Sequence, residues 1–295
     1  MDPLAELGQS LRAAGYSFVT PTPETHRRVL ARRAEGETLR DIFGWSRRFP
    51  PGALDGELSR LLELCEAVER DASGWRSRVR YSTLGPLLCA HSAYPTVSPD
   101  SVFFGPDTYR FAAVLAARIE NAGHVADVGC GSGAGGLFLA PRSRSVQLLD
   151  VNPVALRFAR ANAELNGVEA RVAYSDVLAG AEGTLDLVVA NPPYLLDEGR
   201  RVYRDGGGEL GTDLSVRIAA EALDRLRPGG RLILYTGTPV VEGEHVLWRR
   251  LAPLLRSVRY DYRELDPDVF GEELERTAYA HVERIAVVAL DATKS

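Results

Sequence analysis

The sequence predicts an α/β fold: a doubly wound, mostly parallel, seven-stranded sheet with a smaller helical domain at the N-terminus. From residue 124 onward, short β-forming runs alternate with longer runs of helical periodicity, a pattern typical of a parallel sheet covered by helices on both faces. Before that point apolar residues recur at helical spacing, as Leu4, Leu7 and Leu11 do. The expected strands are 124–129, 145–150, 169–174, 184–190, 230–236, 258–264 and 283–290.

The length of 295 residues suits one large domain and one smaller one. We expect a helical domain over residues 1–80, a β-hairpin linker over 81–104 and the sheet domain over 105–295. Hydrophobic residues make up 45% of the chain, so a sizeable core is expected.

Charge and composition disfavour several classes of protein. The formal net charge of −5 argues against broad affinity for nucleic acid. The sequence has no apolar run of about 18 residues, as a membrane span needs, and its start does not resemble a secretory signal. Cys65, Cys89 and Cys130 lack metal-ligand spacing, so we expect reduced thiols, no bound metal and a cytoplasmic protein.

Arginines are concentrated between residues 27 and 48. The ordinary interpretation is a solvated helix face, and the alternative is a docking surface for an acidic protein or for RNA phosphate. The members of this arginine cluster are Arg27, Arg28, Arg32, Arg33, Arg40, Arg47 and Arg48.

The strongest local pattern is VADVGCGSGAGG at residues 125–136. An apolar run ends in Asp127, and Gly129, Gly131 and Gly133 follow at alternate positions. Glycines allow positive φ and let a ligand approach the backbone, and the N–H groups that begin the next helix can hold a carboxylate or phosphate. Taken alone, the pattern is explained equally well as an ordinary connection between a strand and a helix.

Two later strands also end in polar residues. Asp150 lies 23 residues after Asp127, where an acid at the end of the second strand is placed to bind a ribose diol. Its alternative role is to cap the following helix, for which Asn152 is the better candidate. A further apolar run ends in Asn-Pro-Pro-Tyr at residues 191–194.

Three motifs follow one another along the chain: Asp-x-Gly-x-Gly-x-Gly, then a strand-end Asp, then Asn-Pro-Pro-Tyr. In this order they resemble the motifs of the class I S-adenosylmethionine-dependent methyltransferases, and the resemblance covers roughly residues 101–290. The Asn-Pro-Pro-Tyr motif resembles the motif of those members that methylate nitrogen on planar groups. The chain is therefore similar to the release-factor N5-glutamine methyltransferases of the methyltransferase small domain family. The resemblance implies a Rossmann-like sheet with an antiparallel strand near 285–290.

The resemblance implies S-adenosylmethionine as cofactor. Asp127 and the glycine backbone are expected at its amino-acid end, Asp150 at its ribose, and Asp176 with two valines at its adenine. Thr108 lies in a segment that keeps the Pro, acid and Thr of a family element but lacks its Arg and Glu, and helix capping is its alternative role. The expected cofactor-binding residues are Thr108, Asp127, Gly129, Gly131, Gly133, Asp150, Val151, Asp176, Val177 and Asn191.

The expected catalytic element is Asn191, Pro192, Pro193 and Tyr194. An amide nitrogen is a poor nucleophile because its lone pair is delocalised, so a site must accept its N–H hydrogens and aim the lone pair at the methyl group. The Asn191 side-chain carbonyl and a proline carbonyl suit this role, and the two prolines stiffen the loop. The ring of Tyr194 is expected to stack on the acceptor and to matter more than its hydroxyl. The alternative is a rigid turn after a buried strand.

We therefore expect an S-adenosylmethionine-dependent N-methyltransferase whose helical N-terminal domain recognises the substrate. The leading candidate for the methyl acceptor is a protein glutamine side chain. The second candidate is an exocyclic amine of a nucleobase in RNA or DNA, and the third is a small-molecule amine or amide. The non-enzymatic alternative is a pseudoenzyme that binds the cofactor. We expect no membrane partner. The glycine-rich segment 204–214 is expected to form a mobile loop over the substrate.

Overall fold

The computed structural model describes residues 1–32, 35–199 and 201–295. Within these ranges the helices are α1 Pro3–Ala13, α2 Pro23–Leu30, α3 Leu39–Phe43, α4 Gly56–Leu64, α5 Pro106–Arg118, α6 Ala134–Leu139, α7 Pro153–Leu165, α8 Asp213–Arg225 and α9 Val246–Leu251. The strands are β1 Val68–Asp71, β2 Gly74–Ser77, β3 Val79–Leu84, β4 Leu87–Ser92, β5 His124–Val128, β6 Ser145–Asp150, β7 Arg171–Tyr174, β8 Leu185–Ala190, β9 Leu226–Val241, β10 Glu244–His245, β11 Arg259–Asp266 and β12 Arg284–Thr293.

The N-terminal part contains α1 to α4 followed by two antiparallel strand pairs. The helices begin at side-chain caps: Asp2 accepts a hydrogen bond from the Leu4 N–H at 2.8 Å, and Asp55 accepts one from the Leu58 N–H at 2.8 Å. Strands β1 and β2 pair within the segment that the sequence pattern assigned to helix. Each has only four residues, too few for an alternating apolar pattern to show, and they meet at a turn where Gly74 has a φ of 118°. Strands β3 and β4 form a second hairpin.

The N-terminal part packs directly on the sheet domain through α7. Leucines of α1 and α4 share one apolar core with the α7 residues Ala155 and Phe158. A Cβ at Gly8 would come within 2.5 Å of a Leu165 methyl carbon, so glycine permits the close approach of α1 to α7. The buried Asn162 side chain accepts from the Ala90 N–H at 2.7 Å and donates to the Ala90 carbonyl at 2.9 Å, which fixes α7 to β4.

The central sheet has the strand order β11-β12-β9-β8-β5-β6-β7, and the short β10 pairs with the end of β9. Strands β5 to β9 pair in parallel, while β12 runs antiparallel between β9 and β11. Alternate residues of β5 face two different cores: Val125 packs in the core that includes residues of α5, α6 and α7, and Ala126 packs in the core that includes residues of α8 and α9. This arrangement confirms the predicted fold class.

The parallel pairing brings three strand ends to one edge of the sheet. Val128 at the end of β5 is opposite Leu149 of β6 and Ala190 of β8. The residues that follow these positions, Gly129, Asp150 and Asn191, therefore meet at the carboxyl edge, where open α/β sheets bind their ligands. In the described ranges of the chain, the helices are all too short or too polar to cross a membrane.

Candidate active site

A cavity of about 410 Å³ opens at this carboxyl edge, a volume typical of small-molecule sites. The structure brings together most of the residues that the sequence singled out. Those lining the cavity are Thr108, Gly129, Gly131, Asp150, Val151, Asp176, Val177, Asn191, Pro192, Pro193 and Tyr194.

Asp127 and Gly133 do not line the cavity but lie behind the glycine loop. Asp127 is 2% exposed, and its Oδ2 accepts from the Gly136 N–H at 2.7 Å, so this carboxyl group holds the start of α6. Burial raises the pKa of Asp127 to about 7. Gly133 has a φ of 81°, and a Cβ there would lie 3.0 Å from a Leu148 methyl carbon. Both residues shape the loop, and their expected contact with the cofactor stays a prediction.

Asp150 ends β6 and presents a buried carboxylate to the cavity. Its Oδ2 accepts from the Gly131 N–H at 2.9 Å and its Oδ1 from the Asn152 N–H at 2.8 Å, so it also fixes the glycine loop. Burial raises the pKa of Asp150, opposed by these N–H groups. At Gly129, with a φ of 66°, a Cβ would meet no atom within 4 Å, so the loop presents bare backbone beside an acid.

The side of the cavity that is expected to hold the adenine has apolar walls and an acidic residue that already forms an ion pair within the chain. Val151 is 38% exposed, and Val177 is buried with a φ of 50°. Both oxygens of Asp176 accept from the Arg217 guanidinium at 2.8 Å, an ion pair that the sequence did not predict. Thr108 lines the cavity, while its Oγ1 accepts from the Gly105 N–H at 3.3 Å and so also caps its own helix.

Asn191 follows β8 directly and is half-buried at the cavity wall. Across the described residues, its side-chain amide has no hydrogen-bond partner within the chain, so its oxygen is available to a ligand. Pro192 is buried and Pro193 half-buried, and their fixed φ angles hold the backbone carbonyls in place.

Tyr194 is held by a network that sequence reasoning missed. Its hydroxyl donates to Asp107 Oδ2 at 2.6 Å, and the Tyr235 hydroxyl donates to Asp107 Oδ1 at 2.9 Å. Arg110 also contacts Asp107 Oδ1 at 3.1 Å. The ring lies over Gly237 of β9, where a Cβ would come within 2.1 Å of a ring carbon. The only sequence signal for this network is the acid of the Pro-acid-Thr element, which is Asp107.

The glycine-rich segment packs behind the Asn-Pro-Pro-Tyr loop. A Cβ at Gly211 would lie 2.4 Å from the Tyr194 carbonyl oxygen, and one at Gly206 would lie 2.8 Å from the Pro193 carbonyl oxygen. The Gly206 N–H donates to the Leu195 carbonyl at 2.8 Å. These glycines therefore bring two backbone segments close together, in addition to any role as a loop over the substrate.

Aromatic side chains that the sequence did not single out complete the cavity wall. The rings of Phe103 and Tyr203 stack with centroids 6.1 Å apart and planes at 13°. The Tyr203 hydroxyl donates to the Thr96 carbonyl at 2.6 Å, which joins the segment after Tyr194 to the segment before α5. Nothing in the spacing of these residues signals their meeting, because it depends on two connecting loops.

Most of the described members of the arginine cluster are occupied within the chain. Arg27 and Arg28 contact Glu24 at 2.7 and 2.8 Å, and Arg48 contacts Asp71 at 2.6 Å. Arg47 is buried and lies 3.2 Å from Asp41. Arg33 lies outside the described residues. This pairing favours the interpretation as a solvated, internally paired face.

Comparison with known proteins agrees with this geometry. The model of the methyltransferase small domain family matches residues 100–247, about half of the chain. A release factor glutamine methyltransferase of Deinococcus radiodurans is 39% identical over 168 residues, which cover 53% of this chain and 57% of the relative. A ribosomal RNA small subunit methyltransferase C of Chromohalobacter salexigens is 36% identical over 110 residues, which cover 37% of this chain and 30% of the relative. The chain thus spans less than two thirds of either relative.

A solved structure, Trm5b from Pyrococcus abyssi, aligns with a TM-score of 0.54 over 83% of this chain and 71% of that one, at 16% identity. At that identity the likeness shows the fold alone. The sheet, the carboxyl-edge cavity and the family match define the class as S-adenosylmethionine-dependent methyltransferases. The chain belongs to the methyltransferase small domain family, as its sequence motifs predicted.

The residues around the cavity fit S-adenosylmethionine. Asp150 provides a buried carboxylate suited to the ribose hydroxyls, and the Gly129–Gly131 backbone provides an uncrowded surface for the amino-acid end. Val151 and Val177 provide apolar walls for the adenine. Suitable clusters of His, Cys, Asp or Glu for a metal are not found in residues 1–32, 35–199 and 201–295.

Proposed function

We propose that this protein transfers the methyl group of S-adenosylmethionine to the nitrogen of a planar amide or amine, with a protein glutamine side chain as the leading acceptor. The observation that carries the proposal is the Asn191 amide, available at the cavity wall directly after a buried strand and beside two prolines and a buried tyrosine. Such a group is suited to orient an acceptor nitrogen.

Bound S-adenosylmethionine supplies an electrophilic methyl group. The Asn191 side-chain oxygen accepts one N–H of the acceptor and a proline carbonyl accepts the other, so that the nitrogen lone pair is held toward the donor. Pro192 and Pro193 keep these two acceptors in place, and the ring of Tyr194 bounds the planar group. Positioning of this kind can lower a barrier by roughly 7–11 kcal/mol in favourable cases.

A glutamine acceptor is favoured by the 39% identity to a protein named as a release factor glutamine methyltransferase. The second candidate is an exocyclic amine of a nucleobase, since a further relative is named as a ribosomal RNA methyltransferase and the cavity has a stacked aromatic wall at Phe103 and Tyr203. The net charge of −5 and the internally paired arginines weigh against a nucleic acid. We retain the cytoplasmic setting in the proposal because the three cysteines are free, buried thiols.

The test is to incubate the purified protein with a cell extract and a donor labelled in its methyl group, and then to sort the label into protein, nucleic acid and small molecules. Label in protein, released by exhaustive proteolysis as methylated glutamine, supports the leading acceptor, and label in RNA or DNA supports the second. Asn191→Ala is the matched control, because it keeps Asp150 and the glycine loop and should transfer little label. Cofactor binding without label in any fraction would contradict the proposal and favour a pseudoenzyme.

A further inference from the structure

Arg80 in β3 carries a buried positive charge without a carboxylate partner. Its side chain is 4% exposed and donates to Thr20 Oγ1 at 3.3 Å, and its Nε has no hydrogen-bond partner. Within the described residues no carboxylate lies within 4 Å of its guanidinium. Arg47, which is equally buried, has the carboxylate of Asp41 at 3.2 Å. The Cζ of Arg80 lies 5.4 Å from the centre of the Phe18 ring, a cation–π contact that offsets only part of the cost of burying the charge, so Arg80 differs from the usual ion-paired structural arginine.

The hydrogen-bonded groups beyond Arg80 are all neutral. Thr20 Oγ1 lies 2.6 Å from Ser82 Oγ, which lies 2.8 Å from His91 Nε2, and His91 Nδ1 bonds to the Ser92 carbonyl at 3.0 Å. Because a carbonyl only accepts, His91 donates from Nδ1, and the chain of donors runs from Arg80 to Ser92. Burial holds the pKa of His91 well below its usual value, so the imidazole is uncharged. The charge of Arg80 is therefore not balanced along this chain.

The guanidinium lines a small cavity of about 20 Å³ beside the active-site cavity. His26 also lines it, and its Nδ1 has no hydrogen-bond partner, while its Nε2 bonds to the Trp45 carbonyl at 2.8 Å. The residues shared by the walls of the two cavities are Pro23, Tyr94, Thr96 and Phe103. The two cavities are therefore neighbours that share a wall of aromatic and proline side chains.

We propose that this small cavity is a subsite for a carboxylate group of the methyl acceptor, with Arg80 as its counter-ion. The inference rests on the proposed methyl transfer and specifies the substrate class: an acceptor that carries both a planar nitrogen and a carboxylate. A planar carboxylate matches the guanidinium donors in geometry. The cavity is small, about 20 Å³, which favours a planar carboxylate over a larger tetrahedral phosphate.

Arg80 keeps its charge for this role at neutral pH, because burial lowers its pKa only to about 10. A bound carboxylate accepts from the orphan Nε of Arg80. Burial raises the pKa of Tyr16 and of Tyr109 near the guanidinium, so these two phenols stay neutral and provide no alternative counter-ion.

The first test uses formate as a probe on the full chain without acceptor. Thermal unfolding is followed against sodium formate at constant ionic strength, with sodium phosphate in parallel. Wild type and Arg78→Gln, which removes an exposed arginine two residues away, should be stabilised saturably by formate and not by phosphate. Arg80→Gln should lose the formate response. Equal formate stabilisation of Arg80→Gln, or no response in wild type, would overturn the proposal.

The second test separates acceptor recognition from chemistry. Small molecules and a proteolytic digest of the extract are each labelled by the enzyme, and the labelled products are sorted by retention on an anion exchanger before and after esterification of carboxylates. Arg80→Gln should raise KM for the retained acceptor by about 10- to 100-fold with a smaller change in kcat, and Arg80→Lys should recover part of this loss. The fraction that carries label identifies a free acid or a peptide carboxylate as the source.

The two proposals fail in different ways. If no fraction is methylated but formate still binds through Arg80, the assigned methyl transfer fails and the anion site stands. If methylation proceeds with the same KM in wild type and Arg80→Gln, the carboxylate subsite fails and the methyl transfer stands. Arg80→Lys retains the charge, so it serves as the folded reference if Arg80→Gln does not fold.

Discussion

Removal of the Tyr194 hydroxyl tests whether the network around Asp107 holds the catalytic loop. Tyr194→Phe keeps the ring but deletes the donor that lies 2.6 Å from Asp107 Oδ2. The Asp107 side chain is 12% exposed, so water replaces this donor poorly. A hydrogen bond to a charged acceptor contributes about 1.5–3 kcal/mol, and the free energy of unfolding should fall by about that amount in urea denaturation.

Tyr235→Phe is the matched control. It removes a phenol from the other oxygen of the same carboxylate, at 2.9 Å, but Tyr235 belongs to β9 and does not line the cavity. The two variants should lose similar stability. Tyr194→Phe alone should also lower kcat, by up to about 10²-fold if the loop shifts by about 1 Å, with cofactor affinity unchanged. Wild-type stability in Tyr194→Phe, or equal losses of kcat in both variants, would refute the role of this hydroxyl.

Three further changes probe the cofactor side, the loop and the pH dependence. Asp150→Ala should weaken S-adenosylmethionine binding in calorimetry by about 1.5–3 kcal/mol for each ribose hydrogen bond lost; unchanged affinity would remove Asp150 from the site. Gly237→Ala should displace the Tyr194 ring, since the new Cβ would lie 2.1 Å from it, and should cost about 1–3 kcal/mol of stability as well as turnover; a crystal structure with the ring unmoved would contradict this. The pKa of Asp127 is higher in the folded protein, about 7, than the ordinary value of 3.8, so protonation of this group stabilises the fold. Without cofactor, this stabilisation is fully present below pH 3.8 and is lost as the pH rises through about 7. Wild type should therefore lose stability relative to Asp127→Asn over that range, and parallel pH profiles of the two proteins would contradict the buried, raised carboxyl group.

The fold and the cavity edge were predictable because they depend on patterns that are local in sequence. Each parallel strand is a short apolar run that ends at a residue of distinctive type, so the order of residues along the chain is enough to place Gly129, Asp150 and Asn191 at the carboxyl edge. The short strands β1 and β2 escaped prediction because four residues show no clear period.

Contacts that join distant segments were beyond prediction. Asp107 and Tyr194 are 87 residues apart, and their hydrogen bond depends on how α5 packs against the sheet. The pairing of Asp176 with Arg217 likewise requires α8 to lie beside the end of β7. The hydrogen bond that Asp127 accepts at the start of α6 was not predictable from its place in the motif, because it depends on the path of the turn. Register along a strand fixes which residues reach an edge, and packing decides which way they face.

The central claim is that the main role of the Asn191 side chain is to orient the acceptor nitrogen, with little contribution to cofactor affinity. The most direct measurement is the turnover of labelled methyl transfer in Asn191→Ala and Asn191→Asp, paired with calorimetric S-adenosylmethionine affinity for each. Asn191→Ala should lose turnover by about 10²-fold or more with nearly unchanged affinity, and Asn191→Asp should keep partial activity because its oxygen still accepts from an N–H group. Full turnover in Asn191→Ala, or a parallel loss of cofactor affinity and turnover, would contradict the claim.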